Sequence, residues 1–208
     1  MVCRSAWVDS GRARGFSLLE LLMVVAIMGV LAAIALPMTG NALKYEKISG
    51  DARDISNDIS VAKMRAAAKF TQSRIYVDLT GKQYRLQTCN DPTVLPCAAW
   101  TTEGNWVSLA STVSFGYGSI SAAPLNTQTT IGQATACKDG SPLADVVNTA
   151  CIIFNSRGIP VDTSGGPTGS YAVYINDGIF CYGITVAATG FIRTWRTNYT
   201  ATPAWMQQ

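Results

Sequence analysis

Histidine is absent from the sequence. With it go Ser-His-Asp and Cys-His catalysis and every zinc motif that needs an imidazole. The phosphate-cradling patterns GxxxxGK(S/T) and GxGxxG are missing too, which removes the commonest nucleotide-binding loops. None of the six cysteines stands in a CxxC spacing, so a cysteine-only metal site has no support either, and no cofactor or metal is expected. Charge is scarce. Charged residues make up 14% of the chain against 48% apolar, which excludes a charge-rich disordered protein. Of the net charge of +3, Arg4, Arg12 and Arg14 against Asp9 account for two units before residue 16. The remainder of the chain is nearly neutral, and so is not built to coat nucleic acid. Carboxylates such as Asp139, Asp145 and Asp162 are scattered, with no spacing that pairs them for acid–base chemistry. An enzyme is not expected.

The sequence does have one long hydrophobic run. Phe16 to Leu36 reads FSLLELLMVVAIMGVLAAIAL, in which Glu20 is the one charge, and Pro37 comes next. At about 1.5 Å per residue this predicts a transmembrane helix over 16–36, matched to a hydrocarbon core of roughly 30 Å. A secretory signal places its apolar region before a small-residue cleavage site. Here the small residue, Gly15, comes first. Cleavage after it would remove residues 1–15 and leave the helix on the mature protein. The arginines ahead of the span favour a cytoplasmic N-terminus and an exported C-terminal body. Glu20 is costly in such a setting. It stands four residues after Phe16, on the same helical face as the α-amino group that cleavage would create there.

Beyond Pro37 the helical period resumes. Ile48, Ala52, Ile55, Ile59, Ala62, Ala66 and Phe70 form one apolar stripe, which predicts an amphipathic helix over 37–70 lying on a sheet. Ser49-Gly50 is a weak point in it. After residue 70 the pattern alternates. Strands are expected at Ser73–Leu79 and Lys82–Thr88 around a Thr80-Gly81 turn, and Trp106–Ala110 and Thr112–Tyr117 are expected to form a second pair. Residues 118–150 read mainly as loop. Cys151–Phe154, Tyr171–Asn176, Ile179–Ala187 and Phe191–Arg196 complete a β-rich domain over 71–208. The fold class is α+β: a long N-terminal helix packed on an antiparallel β-sheet domain. In an exported body disulfides are the default. Cys89–Cys97 would staple a proline-bearing loop and Cys137–Cys151 would close one of about 15 residues. That leaves Cys181 as a buried strand residue, with Cys151–Cys181 as the other possibility.

The segment RGFSLLELLMVVAIMGVLAAIALP resembles the N-terminal motif of type IV pilins and type II secretion pseudopilins. The resemblance implies cleavage by a prepilin peptidase after Gly15 and N-methylation of Phe16. It implies an assembly role for Glu20 at the fifth mature position and a helix kink at Pro37. CIIFNSRGIPVD followed by YAVYINDGIFCYGITVAATGFIR resembles the ending of the GspH/FimT-like minor pilins and pseudopilins. The expected function is therefore that of a minor pilin or pseudopilin that starts or caps a filament. Its implied partners are the prepilin peptidase, other pilin subunits and, before assembly, inner-membrane lipid. A type II secretion filament and a bulk pilin remain alternatives. DNA capture is another. Some members of this group carry a Gly-Arg-x-Arg motif, from which Gly190-Phe-Ile-Arg193-Thr-Trp195-Arg196 departs. Arg193 and Arg196 could meet phosphates and Trp195 a base, but strand alternation puts Arg196 on the face opposite Arg193 and Trp195.

Overall fold

The computed structural model describes residues 16–208 apart from 92, 94, 95, 141 and 201, and within its long helix the side chains of residues 35–42 lie outside the description. That helix, α1, spans Leu18–Ala68 without a break, so Ser49-Gly50 does not interrupt it. The chain forms two compact units, one ending at Ala42 and the other running from Leu43 to Gln208. The second half of α1 thus belongs to the β-rich body.

In that body the apolar stripe of α1 is the floor of the core. Ile48, Ala52, Ile55, Ile59, Ala62 and Ala66 are each at most 1% exposed. The alanines let the helix approach closely, and each buried isoleucine contributes about 2 kcal/mol of transfer free energy. Phe70 departs from the expected stripe. It is 79% exposed, because the helix ends at Ala68 and Phe70 turns into the left-handed region at φ 51°. Thr71 N donates to Ala66 O at 3.2 Å and Phe70 N to Ala67 O at 3.4 Å, a Schellman cap with phenylalanine in the place glycine prefers. Phe70→Gly should therefore raise stability by about 1 kcal/mol, or roughly 2–4 °C in Tm. An unchanged or lower Tm in a thermal melt would show that Phe70 makes a compensating contact.

Among the described residues twelve strands come after the helix: β1 (Ser73–Asp78), β2 (Gln83–Cys89), β3 (Trp100–Ser108), β4 (Ser114–Phe115), β5 (Lys138–Asp139), β6 (Ala144–Asp145), β7 (Thr149–Phe154), β8 (Pro160–Val161), β9 (Tyr171–Asn176), β10 (Phe180–Val186), β11 (Ile192–Asn198) and β12 (Met206–Gln207). They build one sheet in the order β3-β2-β1-β7-β8, a second in the order β12-β11-β10-β9-β4, and the small hairpin β5-β6. All these pairings are antiparallel. Alternate residues from both sheets meet the helix stripe in one core: Ile75 and Val77 from β1, Ile152 and Phe154 from β7, Val173 and Ile175 from β9, Ile184 and Val186 from β10.

Two expectations about the strands are corrected. The Trp106–Ala110/Thr112–Tyr117 pair does not form: β3 begins at Trp100 and pairs with β2, whereas β4 pairs with β9 in the other sheet. The sequence hides β3 because it is an edge strand, exposed along most of its length, with Gly104 at φ 80° in the middle. An edge does not need the apolar alternation by which strands are recognised. The first hairpin is also looser than expected, since Asp78 pairs with Gln83. Asp78 Oδ1 accepts from Thr80 N at 3.1 Å and Gly81 N at 2.8 Å, which holds that turn.

Disulfides join Cys89 to Cys97 and Cys137 to Cys151, with Cα–Cα separations of 5.9 and 5.0 Å. The Cys151–Cys181 alternative is not taken, because Cys151 of β7 is bonded to Cys137 and Cys181 of β10 is left free. Cys181 is free and buried, and burial pushes its thiol up to about 12, leaving it unreactive in the folded chain. One buried cation has no signature in the sequence. Arg74, 1% exposed, projects from β1 towards the β5-β6 hairpin. It donates to Gln87 Oε1 at 2.8 Å, Lys138 O at 2.9 Å and Asp139 Oδ1 at 2.6 Å.

Candidate assembly segment

The chemistry of the N-terminal unit is that of a surface awaiting a partner. Residues 16–34 are exposed throughout: Phe16 is 82% exposed, Leu18 77%, and Leu22, Val25 and Ile34 each about 60%. A helix apolar on all sides is stable only when surrounded by lipid or other helices. Among the described residues no helix is long and apolar enough to cross a membrane; the described side chains of the apolar run stop at Ile34, and residues 35 and 36 fall in the stretch left undescribed.

Glu20 sits in the first turn of α1, where Leu21 N donates to Ser17 O at 3.1 Å. A carboxylate there complements the partial positive charge of the helix start. Phe16 precedes it by four residues and lies two residues ahead of the helix, which begins at Leu18. Gly15 lies outside the described residues, and Pro37 lies inside α1 among those whose side chains are not described.

The three residues proposed for DNA are not brought together. Arg196 faces the helix: its Nη1 donates to Tyr45 Oη at 3.0 Å, and its guanidinium lies 5.5 Å from the Tyr45 ring and 5.9 Å from that of Phe180. Trp195 Nε1 donates to Thr185 Oγ1 at 2.9 Å, and Arg193 packs 5.3 Å from the Phe191 ring. Arg193 and Trp195 share one face of β11 with Arg196 on the other, and both partners of Arg196 are internal. Among the described residues no group of three or more His, Cys, Asp or Glu could hold a metal ion.

The described N-terminal segment is thus an exposed apolar helix with one carboxylate at its start, followed in sequence by a disulfide-stapled β body. Residues 10–36 match the prokaryotic N-terminal methylation motif. Over 97 residues the chain is 29% identical to the type IV narrow pilus major component PilA5 of Thermus thermophilus, covering 47% of this chain and 72% of that protein. Among solved structures it overlaps loosely with the minor pseudopilin EPSH of the type II secretion system of Vibrio cholerae. There the identity is 10% and the TM-score 0.40, over 76% of this chain and 94% of that one. The motif at residues 10–36 and the similarity to a type IV pilus component support a pilin- or pseudopilin-type chain.

Proposed function

We propose that the chain is a minor pilin, a non-enzymatic subunit that initiates or caps a type IV pilus. The observation that carries the reading is the exposed apolar segment over 16–34, helical from Leu18, within the methylation motif. A prepilin peptidase cuts after Gly15, Phe16 is N-methylated, and the subunit rests in the inner membrane as a single-pass protein with its body exported. Glu20 then pairs with the α-amino group of an adjoining subunit as the helices gather. A carboxylate and an ammonium that enter an apolar bundle together neutralise each other, whereas either alone is costly. The Thermus relative is a component of a type IV pilus, which supports a pilus rather than a secretion filament. The body supports the low-copy role: between β4 and β7 its described residues hold only two-residue strands, so it offers irregular surface suited to a filament end.

The test is the yield of pili sheared from cells lacking the gene, beside wild type and a complemented strain. A sharp, complementable loss is expected. Undiminished yield, with loss of exoprotein secretion instead, would move the subunit to a secretion filament.

A further inference from the structure

The outer face of the first sheet holds a cation that nothing beside it neutralises, Arg85 of β2, and we propose that it receives the Asp54 carboxylate of a second copy of this chain. The proposal rests on the reading of the chain as a filament subunit.

Strand alternation puts Arg85 on that face. Tyr84 and Leu86 point into the core shared with α1, so Arg85 points away from it. On β1 the same rule sends Ile75 and Val77 inward and Tyr76 outward, and Tyr76 is the register partner of Arg85. The Arg85 guanidinium lies 5.3 Å from the Tyr76 ring and 4.1 Å from that of Trp106. The two rings themselves meet edge to face at 5.9 Å. This clamp fixes the direction of the planar fork before any ligand arrives, so little freedom is lost when a carboxylate takes two of its N–H groups. Trp106 belongs to edge strand β3 and is 38% exposed, so the clamp opens at the side of the sheet.

The acids of the same face do not fill it. Arg85 is in no ion pair among the described residues, and its Nε is buried without a hydrogen-bond acceptor. Asp139 is taken by Arg74 at 2.6 Å, Asp145 by Lys138 at 3.7 Å, and Glu103 by Arg65 and Lys69. Asp78 accepts from the backbone of its own turn. Arg74 lies close enough to be repelled by Arg85. A buried N–H without a partner and a charge without a counterion both favour an incoming carboxylate.

The matching surplus lies on the helix. Asp51, Asp54 and Asp58 follow one another at three- and four-residue steps along one flank of α1. None of them is in an ion pair among the described residues. Asp51 Oδ2 accepts from Ala110 N at 2.9 Å. Burial raises the pKa of Asp51 and Asp58, and the charge of Asp54 adds to the shift in both. Asp54 itself is exposed and is the one free to reach a neighbour. Arg53, next to it in sequence, lies on the side of Tyr182 and Thr194. Asp54 cannot serve Arg85 of its own copy, because Arg85 is on the side of the sheet away from α1. Each copy can therefore take a carboxylate from one neighbour and offer one to another. A pair joined in this way is a minimal start for a filament.

The test uses the full mature chain in micelles of an uncharged maltoside detergent, with self-association followed by analytical ultracentrifugation. Wild type should associate, and added salt should weaken it. Arg85→Glu and Asp54→Lys should each weaken association at least about tenfold, since each sets like charges against one another. The chain carrying both changes should return to within about threefold of wild type, because the charges are then exchanged but still opposite. Arg85→Gln and Asp54→Asn, which remove charge without reversing it, should each weaken association too, and they replace a reversal variant whose thermal melt shows it unfolded. A wild type that stays monomeric at millimolar concentration, single variants that associate like wild type, or a doubly changed chain no better than the singles overturns the proposal. Each of these results leaves the filament reading intact, since that reading is judged by pilus yield and N-terminal processing.

Discussion

A chain in which Glu20 is replaced by alanine should lose its leader normally and yet be recovered in sheared filaments at least about tenfold less than wild type. The expectation comes from where the carboxylate sits. Glu20 lies in the first turn of α1, with exposed leucines on both sides, so every route to burial takes it into an apolar environment. In lipid, water and headgroups near the helix end can still reach it. In a bundle of helices they cannot, and under the proposed processing the positive group that would accompany each subunit is the α-amine of Phe16. Removing the carboxylate leaves that amine unpaired, and a loss of about 1.4 kcal/mol already means a factor of ten. Cleavage depends on residues before and at the junction, so it should proceed. Glu20→Gln separates charge from shape: it should fail nearly as badly as alanine if pairing with an ammonium matters. Recovery of either variant at wild-type level would contradict the pairing.

The second large effect is expected in the body. Arg74→Ala should lower stability by about 3 kcal/mol, because three charge-assisted hydrogen bonds are lost and buried acceptors are left unmet. Burial works to lower the pKa of Arg74, and the hydrogen bond it donates to Asp139 opposes that shift. The group is thus held charged by its partners, with Trp100 stacked 4.2 Å from the guanidinium and Tyr76 at 5.2 Å. Lysine cannot reproduce this. Nε, Nη1 and Nη2 address Gln87, Lys138 and Asp139 in three fixed directions, and an ammonium lacks that fork. Arg74→Lys should therefore lose most of what alanine loses. The β5-β6 hairpin is held to β1 and β7 by Arg74 and by the Cys137–Cys151 disulfide together, so removing both should cost a different amount from the sum of the single losses. Thermal melts of these variants beside wild type decide the matter. A Tm for Arg74→Ala within a degree of wild type would show that the cluster adds no net stability.

How much of this is legible beforehand depends on whether a residue's role is set locally. The apolar run from Phe16 needs no tertiary context to be recognised, nor does the three- and four-residue rhythm of Ile48 to Ala66, because both periods are imposed by the helix itself. The same rhythm overreaches at Phe70, where it continues on paper while the backbone has already left the helix. Strands buried on one face announce themselves by alternation, as at Ile75 and Val77. Edge strand β3 does not. Its Glu103 is accommodated by Lys69, Arg65 and Thr88, and those partners come from elements that only the fold brings together. Arg74 is hidden for the same reason, since an arginine in a strand ordinarily reads as solvated. Division into two sheets is likewise invisible, because β4 comes soon after β3 in sequence but pairs with β9. At the N-terminus, Glu20 stands out as the one charge in an apolar run, whereas the roles expected of Phe16 and Glu20 come from the resemblance to the pilin motif.

The central claim, that this chain is processed and assembled as a pilin-type subunit, is tested most directly at its own N-terminus. Filaments sheared from cells are purified, and the first peptide of this chain is identified by mass spectrometry. The account predicts a peptide that begins at Phe16 and carries one methyl group on its α-amine. A chain that keeps the residues before Phe16, or begins elsewhere, or is missing from the sheared fraction of cells that make it, would contradict the account.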